Sequence, residues 1–461
     1  MRLAGCELRK LACLPALWAF LALCLAFNGL LVATSPSGRG AFNAAGAVTA
    51  DLGQRVDAAF LDSLAARCAA RAQGAEAFNA AGAGTAVGAQ DAGTAGEAGS
   101  AGDAAAADAG NATTGDAGDA AAAGSAGAAA AAGAGEAGSA AAAAPARDEE
   151  ALLAAARSME DLYAGYDVEE ELAGFYAARV EASPWAVQMM RWKYAQMQPR
   201  VEHLAHVQAD WDLYAGPSTH DAHQFLFGTL LSAVVGEACL CAMLAMVYLV
   251  GYEFQHRTEQ VAYASRTGRR LACGKVAAGL LAGMACYALL AAATLGGFFL
   301  AWDWPHMMGA SVSSQWNYWV ESMVARPFLT WADFTVGQYL AACSALGAAL
   351  VAACGLMAAA CGMLARNGYA AALALALLCT GALAARMAFA SAEWWPAYYA
   401  AMLLPTNVWL SAPAWFTEGG LSAIVPWQES VGAGFGVALF GLACVLAARR
   451  FGRKDIVSWN S

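Results

Sequence analysis

Four histidines crowd into a short stretch ahead of a long apolar run, at intervals that metal ligands use. His203 and His206 lie three apart and Asp210 follows four later, which sets all three on one face of a helix. His220 and His223 repeat the three-residue interval. Imidazole pairs suit zinc, copper or nickel, so these five residues form a candidate divalent-metal site. The plainer assignment is a polar helix face plus histidines at a membrane surface, because neither cysteine ligands nor an HExxH arrangement accompanies them. That second assignment is the expected one, and no resident metal is expected.

Glu237 is the other residue whose position implies chemistry. It lies about twelve residues into an apolar run, where an acid is costly and by default marks a functional or paired position. Arg386 is the remaining strongly charged side chain inside such a run, yet at about 1.5 Å of rise per residue the two depths differ by roughly 10 Å. Direct pairing would need tilt and snorkelling. A place on a substrate route and a purely structural polar contact both stay open. Glu237 has no nucleophile nearby and the histidines lie outside the apolar runs, so covalent catalysis is not expected.

The elements that must hold these residues follow from composition. The chain has 461 residues, 60% hydrophobic and only 13% charged, about half the charged fraction of an ordinary soluble protein. Six stretches reach or approach the roughly 20 apolar residues that cross a bilayer: Leu11–Val32, Phe225–Val250, Val276–Leu300, Tyr339–Leu364, Tyr369–Ala390 and Val431–Ala448. The expectation is an all-α membrane protein of six transmembrane helices with a large, partly disordered helical exterior insert between the first two. The first run reads as an uncleaved anchor, since its apolar core is about twice a signal peptide's and no small-x-small site follows before Ser35-Pro36. Basic residues set the orientation. With the N-terminus inside, Arg2, Arg9, Lys10, Arg257, Arg266, Arg269, Arg270, Lys275, Arg366, Arg449, Arg450, Arg453 and Lys454 all face the cytoplasm, against Arg326 and Arg386 outside. Both termini are therefore expected to be cytoplasmic in a multi-pass protein of the cell (plasma) membrane. The net charge of −11 leaves no basic footprint for nucleic acid.

This divides the chain into residues 1–32 (cytoplasmic N-terminus and first helix), 33–224 (exterior insert), 225–448 (helices two to six, with a loop at 251–275) and 449–461 (basic cytoplasmic tail). The insert holds 25 acidic against 10 basic residues, so the acidity belongs to the exterior. Its tract 73–145 is almost wholly Ala, Gly, Asp, Ser and Thr, too poor in apolar groups to offset the entropy of ordering, and disorder is expected there. The heptapeptide AFNAAGA occurs at Ala41–Ala47 and again at Ala77–Ala83. Flanking patterns at Val56, Phe60, Leu64 and Cys68, and at Leu152, Ala156, Met159, Tyr163 and Tyr166, predict helices with one apolar face. A stalk or hairpin above the membrane should result, continuing through Trp185–Met197 and, after Pro199, Val201–Tyr214. Ten of the 15 tryptophans, Trp302 to Trp427, fall in outer loops, where an interfacial belt is expected. Gly279 and Gly283 form a GxxxG pair that suits either a tight bundle or a dimer seam.

The loop between the second and third runs is short, amphipathic and basic, with Phe254, Val261 and Ala264 able to lie on a surface while Glu253, Arg257, Glu259 and Gln260 remain polar. So short a helix is marginal in water and needs something to dock on. Its residues Glu253, Thr258, Ser265, Arg266, Gly268, Arg269, Arg270, Gly274 and Lys275 resemble the corresponding loop of ABC-2 type transporter permeases, an acid leading through Thr and Ser into an "sR..GRr…gK" stretch. The tail Arg449-Arg450-Phe451-Gly452-Arg453-Lys454-Asp455-Ile456 is similar to that family's "rRF.rkDi" ending, and six helices with both ends inside complete the likeness. It covers about the first 32 residues and everything from Phe225 on, not the insert. The resemblance implies that Glu253–Ala264, with Arg257, Glu259 and the arginines after it, is a coupling helix docked on a separate ABC ATPase subunit. It also implies a dimer with a second permease, homo- or heteromeric, and short re-entrant helices around Tyr398–Leu404 and Ala412–Ala423. No phosphate-binding GxxxxGK[ST] is present, since Gly268 to Gly274-Lys275-Val276 is one residue too long and ends in Val. ATP is thus expected on the partner and no cofactor on this chain. The expected function is a permease exporting an amphipathic or hydrophobic compound. The rival is a membrane-anchored sensor or interaction protein whose exterior domain binds a ligand or metal.

Overall fold

The computed structural model describes residues 2–35, 39–87, 147–258, 271–321, 324–365 and 367–453, of which 2–4, 75–87 and 451–453 by their backbone. In chain order the first helices are α1 (Arg2–Ala12), α2 (Pro15–Ala33), α3 (Arg39–Leu52), α4 (Ala58–Val87), α5 (147–157), α6 (Gly174–Arg179) and α7 (Pro184–Val207). There follow α8 (Gly216–Gln255), α9 (Leu271–Ala301), an antiparallel hairpin of β1 (Tyr318–Glu321) and β2 (Val324–Pro327), then α10 (Val336–Leu364), α11 (Gly368–Ser391), α12 (Trp395–Met402), α13 (Pro405–Leu410) and α14 (Gln428–Arg453).

Among the described residues six helices, α2, α8, α9, α10, α11 and α14, are long and apolar enough to cross a membrane. They are the six stretches that hydropathy marks out, and Val250, Ala272, Met363 and Ala447 share one apolar cluster, so those helix ends gather at one end of the bundle, here the terminal end. The insert and the α9–α10 and α11–α14 connections share the other, the insert end. The first stretch is shorter than expected. Its leading residues belong to α1, because Cys13 and Leu14 leave the helix and Pro15 opens the next one in its first turn, where a missing N–H costs nothing. α1 packs instead across α8 and α9. At about 1.5 Å per residue the 40 residues of α8 run about 60 Å, twice the hydrocarbon thickness, so α8 carries residues beyond both ends of the apolar layer.

The GxxxG pair is spent inside the bundle. A Cβ at Gly283 would come within 2.7 Å of Ala242 Cβ, and one at Gly279 within 2.6 Å of Met246 Cε, so α9 lies backbone to backbone on α8. Gly347 does the same for α10, where a Cβ would meet Val235 Cγ2 at 2.6 Å. Gly283→Leu is expected to force α9 off α8 at an overpacking cost of about 1–3 kcal/mol. A lowered melting temperature of the purified protein in detergent checks this, and an unchanged one would contradict so close an approach.

The described helices of the insert pack onto the end of the bundle. One apolar core continues from α8, α9 and α10 into α3, α4 and the residues of α5 through Phe42, Phe60, Leu64, Leu152 and Trp302. A second joins α6 and α7 (Tyr176, Met190, Tyr194, Met197) to α12 (Trp395, Tyr398, Tyr399). Trp302, Trp304 and Trp415 are fully buried, so part of the expected interfacial belt is the core of this cap, covered by helices of the insert. Pro199 does not break α7, whose face Met197, Val201 and Leu204 stays packed across it. The helix α4 continues to Val87, into the tract where disorder was expected, as an alanine-rich sequence can by propensity alone; residues 88–146 lie outside the described residues. Of the two re-entrant helices implied by the family likeness, α12 stands near the first. The second is two 3₁₀ turns, Ala412–Ala414 and Gly420–Ser422, split by left-handed backbone at Phe416, Gly419 and Gly420.

Candidate functional site

α8 runs past the end of its apolar stretch and carries Glu253 into the seam with α9. Glu253 and Lys275 are each 3% exposed, and Lys275 Nζ donates to Glu253 Oε2 and to the carbonyl oxygen of Leu249. α1 supplies a second cation. Lys10 Nζ donates to Glu253 Oε1 at 3.0 Å and to Glu7 Oε1 at 2.8 Å, and stands 4.4 Å from the centre of the Tyr252 ring. Two acids and two bases thus close a neutral array among three helices. Burial pulls the Lys10 ammonium down, but its bonds to Glu7 and Glu253 outweigh this and hold it above the usual lysine range.

Glu253, expected in the loop as a residue that remains polar, is buried in the seam instead, and the cause is the extra turn of α8 up to Gln255. Thr258 N donates to the Glu253 carbonyl at 2.9 Å, ending the helix, and Arg257 takes a left-handed turn with φ 54° and its side chain exposed. Glu259, Ser265, Arg266, Arg269 and Arg270 lie outside the described residues. What the structure brings together is the exit and the re-entry of that loop, bonded to each other and to α1. Glu7 and Lys10 stand i, i+3 on an amphipathic segment, a local signal of their pairing but not of their partner across the bundle.

In mid-bundle, Glu237 is partnered by Asn28 of α2, whose Nδ2 donates to Glu237 Oε2 at 2.8 Å. Asn28 is 1% exposed, a buried amide that hydropathy passed over because it sits in an otherwise apolar run. No ion pair joins Glu237 to Arg386 among the described residues, and no histidine bonds Glu237.

The histidines disperse. Asp210 was to share a helix face with His203 and His206, but α7 stops at Val207 on a left-handed Gln208, so Asp210 swings away. It accepts from Leu162 N at 2.8 Å, and burial holds its carboxyl above the usual range. His203 Nε2 lies 2.8 Å from Asp333 Oδ2, beside Arg200 on the same carboxylate, and His206 is exposed. His220 stacks on Tyr318 with ring centres 3.9 Å apart. His223 is buried among Phe227, Phe328 and Tyr339, its Nδ1 3.2 Å from the Tyr214 hydroxyl. Among the described residues no group of three or more His, Cys, Asp and Glu could hold a metal ion. His203 and Asp333 instead border an open cleft of ≈ 210 Å³ with Asp212, Ser311 and Phe334.

One charge of the cap is satisfied wholly inside it, by partners that no sequence spacing connects. Lys193 of α7 is wholly buried, and its Nζ donates to the carbonyls of Glu418 (3.1 Å), Gly420 (2.7 Å) and Ala423 (3.1 Å) with the Glu418 carboxylate 3.5 Å away. Glu418 Oε2 also accepts from Tyr194 Oη at 2.6 Å and Gly420 N at 2.7 Å. Beside them the Arg326 guanidinium lies 3.9 Å from the Phe175 ring and 4.3 Å from that of Tyr176, whose hydroxyl donates to Glu321. Burial pulls the Lys193 ammonium down to about 8 against the opposing pull of Glu418. Nothing in the sequence links partners so far apart.

No protein-family model, curated protein or solved structure matches the chain.

Proposed function

We propose that this chain is the permease subunit of an ATP-driven transporter of the ABC-2 type, exporting an amphipathic or hydrophobic compound. A separate ATPase subunit supplies the nucleotide cycle, and a second permease, identical or not, completes the dimer. Both termini then lie in the cytoplasm of the cell membrane and the cap lies outside, as the basic residues at the terminal end favour.

The observation that carries this reading is the array Glu7–Lys10–Glu253–Lys275. The two roots of the loop are bonded to each other and to α1, so a force that reaches them is passed to α1, α8 and α9 together. The same array explains why the motif needs its acid and its final lysine, which a mere positive-inside bias does not.

The test is co-purification of an ATPase whose turnover responds to the permease, followed by transport in proteoliposomes. Scrambling residues 251–275 should abolish nucleotide-driven export while leaving membrane insertion intact. Normal export with the loop scrambled would end the proposal. The rival sensor reading draws on the cleft beside His203 and Asp333, and it predicts a small-molecule ligand of the cap and a signalling partner in place of the ATPase.

A further inference from the structure

The repeated heptapeptide has a structural meaning in its first copy. Phe42 is fully buried, its ring centre 5.0 Å from both Trp302 and Trp304. Asn43 spends its amide on the C-terminal end of α9, where Nδ2 donates to the Ala301 carbonyl at 3.3 Å and Oδ1 accepts from Asp303 N at 2.9 Å. A helix C-terminus leaves carbonyls such as that of Ala301 unpaired, and Asn43 satisfies that one together with the N–H of Asp303 just beyond the helix. Gly46 allows the contact to close, because a Cβ there would stand 2.9 Å from the Asp303 carbonyl oxygen. Thr49 is buried with its hydroxyl donated to the carbonyls of Ala45 and Gly46. The segment is thus a key whose Phe-Asn-x-x-Gly positions meet the end of α9 and the residues after it, while Thr49 braces its own helix.

The second copy carries the same key. Phe78, Asn79, Gly82 and Thr85 stand at the matching positions, and over Ala41–Ala50 against Ala77–Ala86 the two differ only where Gly84 replaces Val48. Both lie in helices, α3 and α4. We propose that the second copy docks on the α9 end of another copy of this chain, taking the place that α3 holds there.

Distance selects the other molecule. The start of α4 is fixed by Val56, Phe60 and Leu64 in the core, and an intact helix from Ala58 to Glu76 carries the second copy about 28 Å from that root at 1.5 Å per residue. In its own chain the α9 end is already held by α3. Val48, fully buried in the first copy, favours α3 on its own site, so the exchange proceeds where α3 has been displaced. This inference is independent of the ATP-driven reading.

The experiment uses the full chain in nanodiscs, with two differently tagged copies and Phe78→benzoylphenylalanine in one of them. Irradiation should join the two tags, with the link mapped to residues 298–304 of the receiving copy. Phe42→Ala in the receiver should raise the yield about tenfold or more, the factor that loss of one buried Phe corresponds to, and Asn79→Ala in the donor should suppress it. Asn43→Ala in the receiver provides the same comparison where Phe42→Ala does not fold. Links confined to one chain, links mapped elsewhere, or no link in either background would overturn the proposal and leave the repeat as a duplication without use.

Discussion

Glu253→Ala is expected to lower stability by about 3–5 kcal/mol, the usual cost of removing one partner from a buried ion pair. It leaves the ammonium groups of Lys275 and Lys10 near one another with their shared acceptor gone. Under the proposed coupling, nucleotide-driven export should fall to background in the same variant. Melting in detergent reads the first effect and proteoliposome transport the second. The double variant Glu253→Ala/Lys275→Met separates a bond from a bystander. A coupling energy between the two positions below about 0.5 kcal/mol would show that they act independently.

Lys193→Met should be comparably damaging, again about 3–5 kcal/mol. It strips three carbonyls of their donor and leaves the buried Glu418 carboxylate without its cation. Lys193→Met/Glu418→Gln should recover much of the loss, because the amide oxygen can still accept from Tyr194 and Gly420. A pH signature accompanies this. The ammonium titrates at about 8 in the fold against 10.5 when exposed, so between those values the unfolded chain holds a proton that the folded one has shed. Stability contributed by this residue therefore rises with pH across that window. The stability of wild type relative to Lys193→Met should climb from pH 8 to pH 10, and a flat or falling difference would refute the assignment.

How much of this was written in the sequence depends on the range of the interaction. Hydropathy counts local composition, and it located all six long apolar helices. The faces at Phe60 and Leu64, and at Leu152 and Ala156, were equally local and are buried as periodicity requires. The metal-like spacing failed at one residue, Gln208, where left-handed backbone ended the helix that the spacing presupposed. Lys193 with Glu418, and Asn28 with Glu237, depend on tertiary pairing that no spacing encodes. The loop motif marks Glu253 and Lys275, but their bonding to each other and to Lys10 of α1 depends on tertiary pairing, and the apolar run ends before the helix that carries Glu253 does.

Where α8 and α9 touch at Ala242 and Gly283 the main chains are separated by little more than a methyl group. No solute can thread that contact, and neither residue has room to grow. Any passage through this protein must skirt the contact, along a flank such as α11, which buries only Ala371, Leu375 and Ala382. The walls of a transport pathway would then be completed by lipid or by a neighbouring subunit.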